Sequence, residues 1–216
     1  MLPLYDESAR SLSPPYVTLS LILINVLVFG YVVLGGNFDE IIEQYGAIPS
    51  LILAGENYLT LLTSMFLHVG ILHLISNMWF LWLFGDNLEH NLGKIRFLLF
   101  YFLAGIFSTL FYVFGVQSAQ AGLPVVGASG AISGLMGGYF ILYPKNRIRA
   151  FLLIFYYPIL FWVPAYFYIG FWFLLQLLYV GGEPTSIAYL AHVGGFVAGL
   201  LLILFLKRKI AQKDYF

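Results

Sequence analysis

The chain contains no cysteine, which excludes disulfides, thiol catalysis and cysteine-ligated metals at the outset. Charge is nearly as scarce. Asp, Glu, Lys and Arg make up 9% of the 216 residues, against about 25% in a soluble domain. Ten basic and ten acidic residues cancel, so nothing in the charge balance points to nucleic acid. No HExxH pair occurs, and no small-residue cleavage site follows the first apolar run, so neither a zinc motif nor a cleavable signal peptide is expected. An Arg/Ser-rich transit segment is also missing, which leads to the expectation of a prokaryotic plasma membrane rather than an organelle.

What remains is apolar. Hydrophobic residues make up 61% of the chain, and the mean hydropathy is +0.90. Apolar runs recur throughout, which predicts one all-α polytopic membrane bundle rather than several domains. The gaps between charges place six transmembrane helices at about 17–34, 71–85, 96–114, 127–143, 164–180 and 187–206. Arg96 to Lys145 is uncharged and too long for one helix; the small and polar stretch 115–124 divides it. Pro158 and Pro164 break the next uncharged stretch, and the fifth span is placed after the second proline. Several spans are shorter than the ~20 residues that cross the hydrocarbon core. They imply tilt, local thinning, or helices that end in a protein-lined cavity. The expected organisation is a short N-terminus (1–15), a six-helix membrane domain (16–206) and a short basic tail (207–216).

Six spans put both termini on one side. The ten basic residues are Arg10, Lys94, Arg96, Lys145, Arg147, Arg149, Lys207, Arg208, Lys209 and Lys213. All fall at the N-terminus, the second and fourth connections, or the C-terminus. The other connections hold Asp39, Glu40, Glu43, Glu56 and Glu183 and no basic residue. The positive-inside rule therefore makes both termini cytoplasmic. In that orientation the second, fourth and sixth spans begin on the outer side. His73, Ser129 and His192 each lie within the first two turns of their span, ~10 Å at 1.5 Å per residue. Three polar groups from three helices thus reach a similar depth.

Each has a plainer explanation. Ser129, between Ala128 and Gly130, can be a packing serine, since small residues mediate helix contacts in bilayers. Gly130, Gly134 and Gly138 recur every four residues on the fourth span; Gly195 and Gly199 do so on the sixth, with Ala191 one step before. Those ridges also let two backbones approach closely enough for Ser129 to meet His192, the geometry that activates a serine nucleophile. An intramembrane histidine alone fits a proton relay, a metal ligand or a satisfied core residue; beside Ser129 it fits a general base. No carboxylate lies at the outer ends of these spans, so a Ser–His dyad is expected rather than a triad. His73 and Asn77 share one helix face and are candidate oxyanion donors together with the Ser129 N–H at its helix start. Interhelical hydrogen bonding is their alternative role. His68 is given a structural or water-organising role, and His90 lies on the cytoplasmic side. No metal site is expected, because His68 and His73 lack the i,i+4 spacing of a helical zinc pair.

These motifs carry a resemblance. Gly127-Ala128-Ser129-Gly130 resembles the GxSG nucleophile motif of rhomboid intramembrane serine proteases. Ala191-His192-Val193-Gly194-Gly195 with Gly199 resembles that family's AHxxGxxxG, His73 to Asn77 its HxxxN, and Glu89 to Gly93 its ExxxG. The resemblance implies Ser129 as nucleophile, His192 as base, and His73, Asn77 and the Ser129 N–H as the oxyanion site. It further implies cleavage of single-pass membrane proteins in or beside their transmembrane segments, within the lipid bilayer and without ATP, metal or other cofactor. No oligomeric state follows from it. Two departures stand out. Some members carry an aromatic residue four positions after the nucleophile, where this chain has Ser133, so another group must orient His192. Some carry a Trp-Arg pair in the first external connection, and none occurs between Gly36 and Gly70. Asp39 to Glu43 and the apolar 51–53 in that connection suggest an amphipathic hairpin in the interface. The aromatic fifth span suggests either a mobile wall for substrate access or plain lipid contact. Two other classes compete: a catalytically silent rhomboid-like client-binding protein, which normally lacks the serine or histidine, and a small transporter, which needs polar groups at several depths.

Overall fold

The computed structural model describes residues 1–7, 14–180 and 187–207. Arg10, Glu183, Arg208, Lys209 and Lys213, used above for topology, lie outside the described residues, as does the tail from 208 onward. Six apolar helices form the body: α1 (Tyr16–Leu34), α5 (Ile71–Leu92), α6 (Lys94–Gly115), α7 (Ser129–Leu142), α8 (Ala165–Tyr179) and α9 (Tyr189–Leu206). Between α1 and α5 run the short helices α2 (Phe38–Tyr45), α3 (Pro49–Leu53) and α4 (Thr60–Thr63). By length and composition, α1, α6 and α9 can each cross a membrane, and a fourth crossing results if the bent pair Thr60–Phe66 and Ile71–Leu92 counts as one. At 14 and 15 residues, α7 and α8 are shorter than a full span.

The position of α7 explains its shortness. It packs against α5, α6, α8 and α9, and every residue from Gly130 to Tyr139 is buried. With protein rather than lipid around these residues, α7 need not match the thickness of the hydrocarbon core. Its contact with α9 is backbone to backbone. A Cβ on Gly195 would overlap the Gly130 carbonyl oxygen, and one on Gly199 the Gly134 carbonyl oxygen. On α7 the expected ridge splits. Gly137 lies against the Phe196 carbonyl of α9, whereas Gly138 faces Leu88 and Phe100 on α5 and α6. Below these contacts the core is filled by Phe84, Leu88, Phe97, Phe100, Tyr101, Leu135 and Tyr139.

The second span runs beyond its expected end near Gly85 through Asp86 and Glu89 to Leu92. Glu89 does not terminate the helix because its carboxylate is used inside the protein. It accepts hydrogen bonds from the backbone N–H groups of Val17 (3.0 Å) and Thr18 (2.8 Å) and from the Thr18 hydroxyl (2.9 Å). The N-cap of α1 is Pro15, which offers no side-chain acceptor, so Glu89 satisfies donors that a helix start leaves open. Gly93, with φ +76°, then turns the chain into α6.

The all-α expectation needs one correction. Strands β1 (Leu2–Asp6), β2 (Arg147–Ile154) and β3 (Tyr157–Pro164) form an antiparallel sheet in the order β1-β2-β3. Its register pairs Asp6 with Ile148 and Leu2 with Phe151, then Arg147 with Pro164 and Ile154 with Tyr157. The hairpin escaped sequence reading because beyond Arg149 it is apolar on both faces, so the alternation that marks a half-buried strand lasts only from Arg147 to Ala150. β1 is tied to the helices. Trp79 Nε1 donates to the Pro3 carbonyl (2.6 Å), Asn87 Nδ2 to the Asp6 carboxylate (3.1 Å), and the Tyr139 hydroxyl also donates to Asp6.

The first long connection is held without a Trp-Arg pair. Ala47 bridges Val125, the Ser50 N–H donates to the Ala121 carbonyl (2.8 Å), and the Gly127 N–H donates to the Ser64 carbonyl (2.9 Å). Ile42 of α2, Val32 of α1 and Leu67 form a small separate core. This backbone pairing joins the connection to the segment that leads into α7.

Candidate active site

Ser129 is the first residue of α7 and His192 lies in the first turn of α9. The glycine contact between these helices brings the Ser129 hydroxyl to 2.9 Å from His192 Nε2. The other ring nitrogen, Nδ1, is 2.8 Å from Oε1 of Gln176 on α8. Amide Oε1 only accepts, so Nδ1–H donates to Gln176 and Nε2 is left to accept from Ser129. The Gln176 amide nitrogen donates in turn to the Trp172 carbonyl (3.4 Å), which fits that amide orientation. The ring of Trp172 lies 6.1 Å from the His192 ring, inclined by 33°, and Tyr189 approaches it edge-on at 6.4 Å.

Ser133, where an aromatic residue was sought, instead donates to the Ser129 carbonyl (2.7 Å). Gln176 was missed by sequence reading. The available signal was its isolation: it is the one amide in the apolar and aromatic run 164–180, where a polar side chain is costly to keep.

His73 and Asn77 converge on Gly127, two residues before Ser129. A Cβ at Gly127 would lie 2.9 Å from the His73 ring and 3.7 Å from Asn77 Nδ2. With φ +125° and no side chain, Gly127 lets the backbone pass over His73 on its way to Ser129. Asn77 Nδ2 and His73 Nδ1 are buried and have no partner among the described residues. Buried donors in that state are rare, and Asn77 Nδ2 is suited to an oxygen that arrives with a ligand. His68 is buried edge-to-face against His73, with ring centroids 5.0 Å apart.

Gly130, Gly134, Gly195 and Gly199 all sit in the packing that sets the Ser129–His192 distance. Ser108 of α6 joins them: its hydroxyl donates to the Ala191 carbonyl (2.6 Å) beside His192 and fills the space next to Gly130 and Gly195. His90 is exposed on the last turn of α5, at the far end from His73. Among the described residues no group of three or more His, Asp or Glu side chains could hold a metal ion.

Fold and site together define a helical membrane protein with a half-buried serine–histidine pair. Comparison with known proteins gives the family: residues 55–209 match the rhomboid domain, and the chain belongs to the rhomboid family. RHOMBOID-like protein 6, mitochondrial, of Arabidopsis thaliana is 29% identical over 175 residues, covering 77% of this chain and 50% of the relative. Rhomboid protein 1, mitochondrial, of Saccharomyces cerevisiae is 29% identical over 212 residues, 93% of this chain and 56% of the relative. Rhomboid protease GluP of Bacillus subtilis is 34% identical over 136 residues, 62% of this chain and 26% of the relative. The chain therefore spans a quarter to about half the length of these relatives. Membership supports a membrane protein. The mitochondrial names of two of these relatives point away from the prokaryotic plasma membrane expected from sequence; the third, GluP, is from a bacterium.

Proposed function

We propose that this chain is an intramembrane serine endopeptidase that hydrolyses peptide bonds in or next to the transmembrane segments of single-pass membrane proteins. The observation that carries this is the 2.9 Å contact between Ser129 Oγ and His192 Nε2, two residues on separate helices. His192 removes the hydroxyl proton as Ser129 Oγ attacks the scissile carbonyl carbon. Negative charge then develops on the carbonyl oxygen, where Asn77 Nδ2, His73 and the Ser129 N–H act as donors. Collapse of the tetrahedral intermediate breaks the C–N bond, and the imidazolium gives its proton to the leaving amine. A water molecule, deprotonated by the same imidazole, hydrolyses the acyl-enzyme and regenerates Ser129.

The bundle has six spans with both termini cytoplasmic, and the site lies near the outer face. This rests on the charge pattern of the connections. Two short spans are accommodated because α7 is surrounded by protein and α8 ends at the site. α8 is the mobile wall for substrate access; in support, it packs mainly on α9 and only lightly on α7.

Purified protein in detergent, given a fluorophosphonate and a generic transmembrane substrate, tests the whole reading. Wild type should be labelled and should cleave; Ser129→Ala and His192→Ala should each do neither. Intact binding of a membrane client without labelling of the wild type would favour a silent client-binding protein instead.

A further inference from the structure

The β2–β3 hairpin poses a problem that neither the fold nor the proposed chemistry resolves. Its root is packed: Ile148, Ala150 and Val163 belong to the main core. Its distal half is bare. Leu153, Ile154, Phe155, Tyr156, Tyr157, Ile159 and Leu160 are all exposed, with Phe155 at 88% and Tyr156 at 94%. These residues alternate between the two faces, so both faces are apolar. An antiparallel pair standing in water commonly presents one polar face, and the distal half of this hairpin has none.

The turn sharpens the point. Phe155 and Tyr156 join the strands with φ +45° and +69°. Two-residue turns with both central residues at positive φ favour Asn-Gly or Asp-Gly, and bulky side chains there are outliers. Two aromatic rings occupy the tip against the local backbone preference.

The hairpin also has a direction. β1 is its ruler, because β1 pairs with β2 and touches α5 at two heights. Asp6, opposite Ile148, is bound by Asn87; Pro3, opposite Ala150, is bound by Trp79. Asn87 and Trp79 are eight residues apart on α5, ~12 Å along the helix axis. From its root the sheet therefore climbs alongside the bundle toward the end that carries Ser129. β2 then continues three residues past the last pair with β1, ~10 Å more. Cations stay behind at the root. Lys145 and Arg147 are exposed there, Arg149 lies over the Trp162 ring at 5.3 Å, and no acidic residue occurs between 144 and 164. Two acidic residues are near: Asp6 is held by Tyr139 and Asn87, and Glu7 adjoins the root, its N–H donating to the Arg147 carbonyl (2.9 Å).

We infer that the β2–β3 hairpin is a lipid-binding element, with its aromatic tip among the acyl chains and Lys145, Arg147 and Arg149 on anionic headgroups at its base. A basic root, Trp162 against Arg149 next to it and an apolar distal half form the order of chemistries met on passing from headgroups into a leaflet. The surface is continuous with the exposed side of α8, where Phe167, Phe171 and Leu174 face outward immediately after β3. Pro158 and Pro164 remove two N–H groups from the open β3 edge, which lowers the cost of an unpaired edge near hydrocarbon.

The test uses the full chain in vesicles and exploits its lack of cysteine. Tyr156→Cys and Lys145→Cys are each labelled with a fluorophore and exposed to spin-labelled lipid or to aqueous iodide. The Tyr156 site should be quenched by lipid and several-fold less by iodide than the Lys145 site. Adding phosphatidylglycerol to phosphatidylcholine vesicles should strengthen that protection, and Lys145→Gln with Arg147→Gln should remove the gain. Equal iodide quenching at both sites overturns the proposal. So does energy transfer between labelled chains that rises with protein-to-lipid ratio, which assigns the surface to a second copy. If Tyr156→Cys lowers the melting temperature, Leu153→Cys on the same distal half reports the same outcomes.

Discussion

His192 is held from both sides: Ser129 Oγ sits 2.9 Å from Nε2, while Gln176 Oε1 sits 2.8 Å from Nδ1. The sequence led to a two-residue dyad because no carboxylate lies near the outer ends of these spans. The structure supplies a third residue that is neutral. An amide oxygen can fix the imidazole tautomer and orientation without adding a charge to be desolvated in the bundle. Gln176 is also carried on α8, so the helix proposed to admit substrate is the one that orients His192, the proposed base.

Gln176→Met keeps the side-chain volume and removes the acceptor. Fluorophosphonate labelling and kcat should fall about tenfold, the scale of one lost hydrogen bond, with KM for a transmembrane substrate nearly unchanged. Nitrogen-15 NMR of the histidines should show the His192 tautomer becoming mixed. A raised KM with kcat and labelling unchanged would assign Gln176 to substrate contact instead.

Asn77→Ala should lower kcat by about 10²–10³-fold, the range for one oxyanion donor. Substrate affinity and melting temperature should change little, because Asn77 Nδ2 has no protein partner to lose. A large drop in melting temperature with unchanged kcat would place Asn77 among the structural residues.

Gly199→Ala and Gly195→Ala each insert a methyl group onto a backbone carbonyl of α7. Backbone cannot yield as a flexible side chain can, so about 1–3 kcal/mol of overpacking is expected. Both variants should lower the melting temperature and reduce labelling of Ser129, since the same contact sets its distance to His192. Gly170→Ala, where the nearest atom is 3.9 Å away on Phe140, should leave both unchanged.

Glu89→Ala strips the buried start of α1 of its acceptor. About 1–3 kcal/mol should be lost for donors left unsatisfied, read as earlier thermal unfolding in detergent. Glu89→Gln, which keeps one oxygen, should recover part of it. Equal stability of all three proteins would show that water replaces the carboxylate.

Where a helix is apolar and ends in small or polar residues, its limits were legible in the chain: expected spans at 17–34, 96–114, 164–180 and 187–206 correspond to α1, α6, α8 and α9 within about two residues. Charge misleads at the end of α5: Asp86 and Glu89 mark a boundary in the chain, but the helix continues to Leu92 and the buried Glu89 carboxylate caps the start of α1. Periodicity failed at β2 and β3, because β3 and the part of β2 beyond Arg149 are apolar on both faces and the four alternating residues 147–150 are too few to mark a strand.

Composition, charge placement and the spacing of small residues are local properties, and they sufficed to specify a helical membrane bundle and to name Ser129 and His192 as partners. Which acceptor holds the far side of that imidazole, which helix Glu89 caps, and where an apolar hairpin lies depend on contacts between residues far apart in the chain. Such contacts leave no periodic trace in either segment alone, so only the packed structure decides them.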